Sequence, residues 1–305
     1  MGHGHGHGPV TASGRHRGRL VLVLVITGVI LAVQVVGALV SGSLALLADA
    51  GHVLTDTAGV ALALVAITLA ARPAAGRRTF GLARAEILAA AVNAAVLLAV
   101  GGFVLYEAVE RLAEPTEVAT GPMLVFGVIG LVGNAVSLAV LMGARDDGLN
   151  MRGAFLEVAT DTLGSVGVIA AALVAALTGF TRADAVVALL IGLLILPRAV
   201  KLLREAVDVL LQAAPKDVDL DHVRAHIAGV DGVQGSHDLH VWTLTSGMPV
   251  LSAHVVVDEK SFQDGRAPRL LDALQECLAE HFDVEHCTFQ LEPPGHARHE
   301  LPTHA

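Results

Sequence analysis

Two pairs of ionisable residues stand inside apolar runs of this chain, and the members of each pair are four residues apart. His52 and Asp56 fall in SLALLADAGHVLTDTAGV, and Glu157 and Asp161 fall in GAFLEVATDTLGSVGVI. Residues i and i+4 share one face of a helix. An Asp among Ala, Leu and Val costs about 2.5–3.5 kcal/mol in lipid, so such groups are kept for function or for one another. If the two faces meet, one imidazole and three carboxylates converge. That donor set suits a tetrahedral divalent cation such as zinc, with ligand distances of about 2.0–2.2 Å. One buried acid could be satisfied by hydroxyl or backbone groups, and Thr55, Thr57, Thr160 and Thr162 are near. Two matched pairs favour a metal site that moves its ion across a bilayer. Metal binding releases protons from such ligands, and protonation expels the metal, so the same four groups point to metal/proton exchange.

The elements that must position them are apolar helices. Of 305 residues 54% are hydrophobic and 16% charged, against about 25% charged in soluble domains, and the mean hydropathy is +0.65. A membrane protein follows, and the net charge of −9 weighs against a nucleic-acid binder. A span needs about 20 apolar residues. Runs at 20–40, 44–71, 85–109, 121–143, 153–179 and 183–211 predict six transmembrane helices, with Pro197 bending or breaking the last. Arg15, Arg17, Arg19, Arg72, Arg77, Arg78, Arg84, Arg145, Arg152, Lys201 and Arg204 fall on one side of these spans. Only Arg111 and Arg182 fall on the other, so both termini are expected in the cytoplasm.

The predicted organisation is a His-rich cytoplasmic tail at 1–19, a six-helix transport domain at 20–211, a cytoplasmic α+β domain at 212–292 and a disordered His-containing tail at 293–305. In the third part, helical period at 218–227 and 268–281 alternates with strand patterns at 233–245, 250–258 and 285–292. The order αββαβ describes a small ferredoxin-like sheet with its helices on one face. The alternating MGHGHGHG is either a flexible tail or a loose metal collector. Cys277 and Cys287 form no disulfide framework and sit in the polar third, as expected of a reducing compartment.

At these residues the chain resembles the cation diffusion facilitator family, in its branch of bacterial zinc and cobalt–zinc–cadmium exporters. The matching stretches are GSLALLADAGHVLTDTAGV, RTFGLARAEILAA, MRGAFLEVATDTLGSVGVI, HDLHVWTLTSG and LSAHVVVD. The resemblance implies six transmembrane helices, a metallochaperone-like cytoplasmic domain, a homodimer, and alternating access that exchanges a divalent cation for protons. It implies a transporter of the bacterial plasma membrane rather than an enzyme. It also implies a transport site of His52, Asp56, Glu157 and Asp161, and cytoplasmic ligands at His237, His254 and His286. Three departures stand out. Glu157 replaces the usual His, which hardens the site and brings manganese, iron, cobalt and cadmium beside zinc as candidate substrates, or makes Glu157 a proton carrier. The loop 71–85 holds no His and no acid, so a metal site of that loop is not expected. The Lys–Asp pair that locks some dimers would fall on Arg84 and Gln212, with Glu205 and Asp208 close by. In the cytoplasmic site Thr288 stands where the family has an acid, and Cys287 is a candidate in its stead.

Other polar residues are read more plainly. His237 and His240, an odd number apart, face opposite sides of a regular strand. His222 and His226 lie on a solvated helix face, and Trp242 packs within the domain or its dimer contact. Asn93, Asn134 and Ser137 are expected to make interhelical hydrogen bonds. An intramembrane metalloenzyme would need an open metal position and a spare base, and no H-E-x-x-H is present. A metal-gated channel or sensor is the alternative of another class.

Overall fold

The computed structural model describes residues 13–70, 72–142, 149–282 and 286–299. The His-rich ends at 1–12 and 300–305, and Arg145, lie outside them. Helices α1 (Ser13–Ser41), α2 (Leu44–Ala70), α3 (Ala85–Ala113), α4 (Thr120–Met142), α5 (Leu149–Thr178) and α6 (Ala183–Leu210) come first. Among the described residues, five stretches within α1, α3, α4, α5 and α6 are long and apolar enough to cross a membrane, which makes this a helical membrane domain. Helix α6 runs unbroken through Pro197, so the proline, which lacks an N–H and forfeits one helical bond, does not end it.

The chain forms two compact units, Met1–Leu62 with Val92–Leu203, and Ala63–Ala91 with Arg204–Ala305. In the first, small residues let helix backbones approach, as is usual where lipid supplies no hydrophobic drive. A Cβ on Gly37 of α1 would lie 2.5 Å from Phe126 Cγ of α4, and one on Gly127 of α4 would lie 3.2 Å from Val168 of α5. Gly37→Ala should therefore lower stability by about 1–3 kcal/mol, the usual cost of overpacking, read as a lower unfolding midpoint in detergent. The short turn from α1 to α2 is built from local chemistry. Gly42 takes φ +69, a left-handed conformation suited to glycine, and its N–H closes on Ala38 O at 2.9 Å. Ser43 Oγ then accepts from Leu46 N at 3.1 Å as a helix N-cap.

The cap is reinforced from α6. The Asp184 carboxylate accepts hydrogen bonds from the Ser43 hydroxyl, from Leu44 N at 2.7 Å and from Ala45 N at 3.1 Å. Arg111 of α3 donates to Gly42 O at 2.7 Å and stands 3.9 Å from Asp184. The start of α2 is thereby fixed two turns before His52.

The second unit contains α7 (Leu220–Ala228), β1 (Val233–Thr245), β2 (Met248–Val257), the short α8 (Lys260–Gln263), α9 (Ala267–Phe282) and β3 (His286–Glu292). The sheet order is β1-β2-β3, with β1 and β2 antiparallel and β2 and β3 parallel. Leu251, Ala253, Val255 and Val257 alternate inward and pack with Val223, Ile227, Leu274 and Leu278 of α7 and α9, so both helices cover one face. Asp219 caps α7 through Asp221 N and His222 N. Glu86, in the first turn of α3, accepts from Thr245 Oγ1 at 2.8 Å and Ser246 Oγ at 2.9 Å. This tie anchors the β1–β2 turn.

Candidate metal centres

On α2, His52 is 7% exposed, and on α5 Asp161 is 4% exposed. His52 Nε2 lies 3.5 Å from Asp56 Oδ2 and 3.7 Å from Asp161 Oδ1. One donor atom from each of the three residues falls within 4.8 Å of the others. His52 Nδ1, Asp56 Oδ2 and Asp161 Oδ1 are buried without a hydrogen-bond partner among the described residues. Buried polar atoms are normally paired, and two unpartnered carboxylate oxygens, Asp56 Oδ2 and Asp161 Oδ1, both facing His52 Nε2 are what a cation's ligands look like. The i,i+4 spacing brings His52 and Asp56 together, and helix packing adds Asp161.

Glu157 stands slightly apart. It is half-buried and neighbours Asp56 electrostatically, but it is not among the three converging donors. Arg198 of α6 is the cation that acts electrostatically on all four groups. Nothing in the spacing of the sequence marks it.

Asn134 does bond across helices, to Ser165 Oγ at 3.3 Å. Asn93 packs on α2, its amide nitrogen 2.8 Å from where a Cβ on Gly59 would be. Ser137 Oγ has no partner among the described residues.

A second group lies on the sheet. His237 Nε2 is 3.1 Å from Glu292 Oε2, and His254 Nδ1 is 2.8 Å from Glu292 Oε1. These three converge within 4.8 Å. His286, the third ligand anticipated from sequence, is not among them. It is exposed and meets Phe80 edge-on, with ring centroids 5.7 Å apart. Glu292, at the end of β3 and paired with Val256, stands with the two histidines. Cys287 pairs with the buried Leu251 and packs against the apolar core, where burial raises its thiol pKa; it is not part of the converging group among the described residues.

His237 and His240 do not follow the parity of a regular strand. His237 pairs with His254 and His240 with Ser252, three steps on β1 against two on β2. The extra residue is a bulge, with Asp238 at φ +52. Asp238 then reaches His240 Nε2 at 3.0 Å and stands 3.9 Å from His254 Nε2. His222 and His226 stack edge-on to each other at 4.5 Å and to Phe282 at 5.7 and 5.1 Å.

The charge on Glu292 has a pH consequence. Burial pushes its pKa up, but the hydrogen bond from His237, the charge of His254 and the Gln290 amide outweigh it and hold the carboxyl below its ordinary 4.5. A depressed folded value stabilises the fold above the unfolded pKa, and that gain is lost as pH falls through the folded one. Metal-free protein should therefore lose stability below pH 4.5, and Glu292→Gln should flatten this acid limb in unfolding measured against pH.

Comparison with known proteins gives the family. The cation efflux transmembrane domain matches residues 20–211, and the cation efflux protein cytoplasmic domain matches residues 215–294. The metal cation efflux system protein CzcD of Cupriavidus metallidurans is 46% identical over 267 residues, 88% of this chain and 84% of that one. The zinc transporter ZitB of Escherichia coli is 41% identical over 269 residues, 88% and 84% of the two chains. The cadmium, cobalt and zinc/H(+)-K(+) antiporter of Bacillus subtilis is 38% identical over 273 residues, 89% and 87%. Matches of this identity along nearly the whole chain make it a member of the cation efflux family, an integral membrane protein.

Proposed function

We propose that this protein exports a divalent metal cation, zinc foremost, in exchange for protons. The observation that carries this reading is the convergence of His52, Asp56 and Asp161, with unpartnered buried donor atoms, on two helices of a membrane domain. An imidazole with carboxylates binds zinc well. The relatives named for zinc, and for cadmium, cobalt and zinc, support the same class of cargo. Cobalt and cadmium are further cargoes, and the carboxylate weight of the site extends the candidates to manganese and iron.

Exchange follows from the ligands. Binding a dication requires them deprotonated, so loading sheds protons and reprotonation from the opposite side expels the ion. The position of Glu157 outside the converging group, with Asp56 as an electrostatic neighbour, favours a specific division of labour. His52, Asp56 and Asp161 hold the ion, and Glu157 carries a proton that loading displaces. The cycle is one of alternating access in a homodimer. It uses six spans, with α2 as the second, in a bacterial plasma membrane with both termini cytoplasmic. The cytoplasmic domain, read as ferredoxin-like and metallochaperone-like, binds metal through His237, His254 and Glu292 as a regulatory or dimer-closing site. The domain boundaries expected at 19/20, 211/212 and 292/293 belong to this reading, as does a secondary transporter rather than an enzyme.

Zinc uptake by the full-length protein in liposomes with an imposed pH gradient tests the proposal. Saturable uptake that grows with the gradient is the expected result. Uptake indifferent to the gradient would make the protein a channel, and zinc binding without movement would make it a sensor.

A further inference from the structure

We infer that Asp49 is a positioning residue of the membrane metal site, setting how closely α2 and α5 approach and so whether His52 and Asp161 reach one ion. The inference rests on the transport reading above. Asp49 precedes His52 by three residues, so the two share a face of α2 one turn apart. It is 2% exposed, yet its donor atoms are not part of the converging group around His52.

Its contacts tie four helices together. Asp49 Oδ2 accepts from the Gln34 amide of α1 and from Ser165 Oγ of α5 at 3.4 Å. Ser165 in turn receives Asn134 of α4 at 3.3 Å. Gln34, Asn134 and Ser165 are 1%, 2% and 1% exposed. Polar groups so buried hold a fixed geometry because leaving any one unpaired is costly.

The second observation is independent of these bonds. Asp49 Oδ1 lies against Gly164 of α5, 2.6 Å from where a Cβ would stand. No residue with a side chain fits there without a shift. Gly164 and Ser165 follow Asp161 by three and four residues, one turn along the same face. Moving one turn forward on α2, from Asp49 to His52, therefore means moving one turn back on α5, from Gly164 to Asp161. The helices run antiparallel here, and the Asp49–Gly164 contact is the nearest spacer to the 3.7 Å approach of His52 and Asp161. A shift of a few tenths of an ångström at this spacer is passed to the ligands, because both contacts lie on the same two rigid helices.

The test measures zinc uptake by full-length protein in liposomes, separating KM from kcat, with folding checked by thermal unfolding. Asp49→Ala and Gly164→Ala should each raise KM by about 10–100-fold, the range for groups that orient metal ligands, with kcat less affected. Asp49→Asn, which keeps the shape and an acceptor, should recover most of the loss. In the Gly164→Ala background, Asp49→Ser should restore uptake by giving the new methyl room. An unchanged KM in Asp49→Ala would overturn the inference. So would an Asn variant as impaired as Ala, which would make the charge, not the position, the requirement. Failure of the serine change to rescue Gly164→Ala counts against it as well. Wild-type protein without saturable uptake would remove the transport reading itself, whereas wild-type uptake with an unaltered Asp49→Ala would remove this inference alone.

Discussion

Asp161→Ala should lower zinc transport by more than about a hundredfold, while the unfolding midpoint of the metal-free protein does not fall. The two halves of this expectation have the same cause. Asp161 is 4% exposed and its Oδ1 has no hydrogen-bond partner among the described residues. A buried polar atom left unpaired costs about 1–3 kcal/mol, so removing Asp161 Oδ1 relieves the fold of a burden. The metal loses one of three converging donors. Outer groups that merely orient ligands are worth about 10–100-fold, and a ligand itself is worth more. Asp56→Ala should share the transport defect and also remove that electrostatic neighbour of Glu157, which should change the pH profile of any residual uptake. A transport rate within tenfold of wild type, or a marked fall in unfolding midpoint, would mean that Asp161 serves the fold and not the ion.

The membrane pairs were legible because a helix preserves its period whatever packs on it. Four residues between His52 and Asp56 mean one face in any fold that keeps α2 helical, and the same holds for Glu157 and Asp161. What the period could not reveal is which carboxyls turn fully to the ion. Glu157 lies outside the converging group because of how the helices pack, and that packing admits close approaches such as the one at Gly164, where a Cβ would stand 2.6 Å from Asp49 Oδ1. Asp49 was equally hidden, since its partners come from α1 and α5, distant in sequence.

In the cytoplasmic domain the succession of helices and strands was readable from periodicity, but the group of converging side chains was not. A strand's parity holds only while the ladder is regular, and a single inserted residue reverses it. Asp238 tolerates φ +52 better than a branched residue would. That tolerance is a permission and not a signal, so the bulge beside His237 left no mark in the sequence. Glu292 likewise enters the group because β3 pairs parallel to β2 in a register that ends at Val256. One residue of slip would have turned it to the other face.

Asp184→Ala should produce the largest loss of stability among single changes in the membrane unit, about 3–5 kcal/mol, the range for breaking a buried charged pair by removing one partner. The carboxylate is 1% exposed. It satisfies Ser43 Oγ and the amides of Leu44 and Ala45, which belong to the first turn of α2, where helical N–H groups have no partner of their own. It also sits where the positive end of the helix dipole favours an anion, with the Arg111 guanidinium 3.9 Å away. Alanine would strand two backbone donors and a hydroxyl in a place that water does not reach, and would leave Arg111 without that neighbour. Asparagine keeps the shape and one acceptor oxygen, so Asp184→Asn should lose clearly less than Asp184→Ala. Arg111→Ala, whose guanidinium is partly exposed and also bonded to Glu107, should lose less still. Denaturation in detergent ranks the three, and amide exchange at Leu44 to Leu47 should accelerate in Asp184→Ala before exchange deeper in α2 does. Because α2 carries His52 and Asp56, the frayed turn should also raise the KM for zinc. A variant with unchanged exchange at Leu44 and Ala45 would show that Ser43 alone caps the helix.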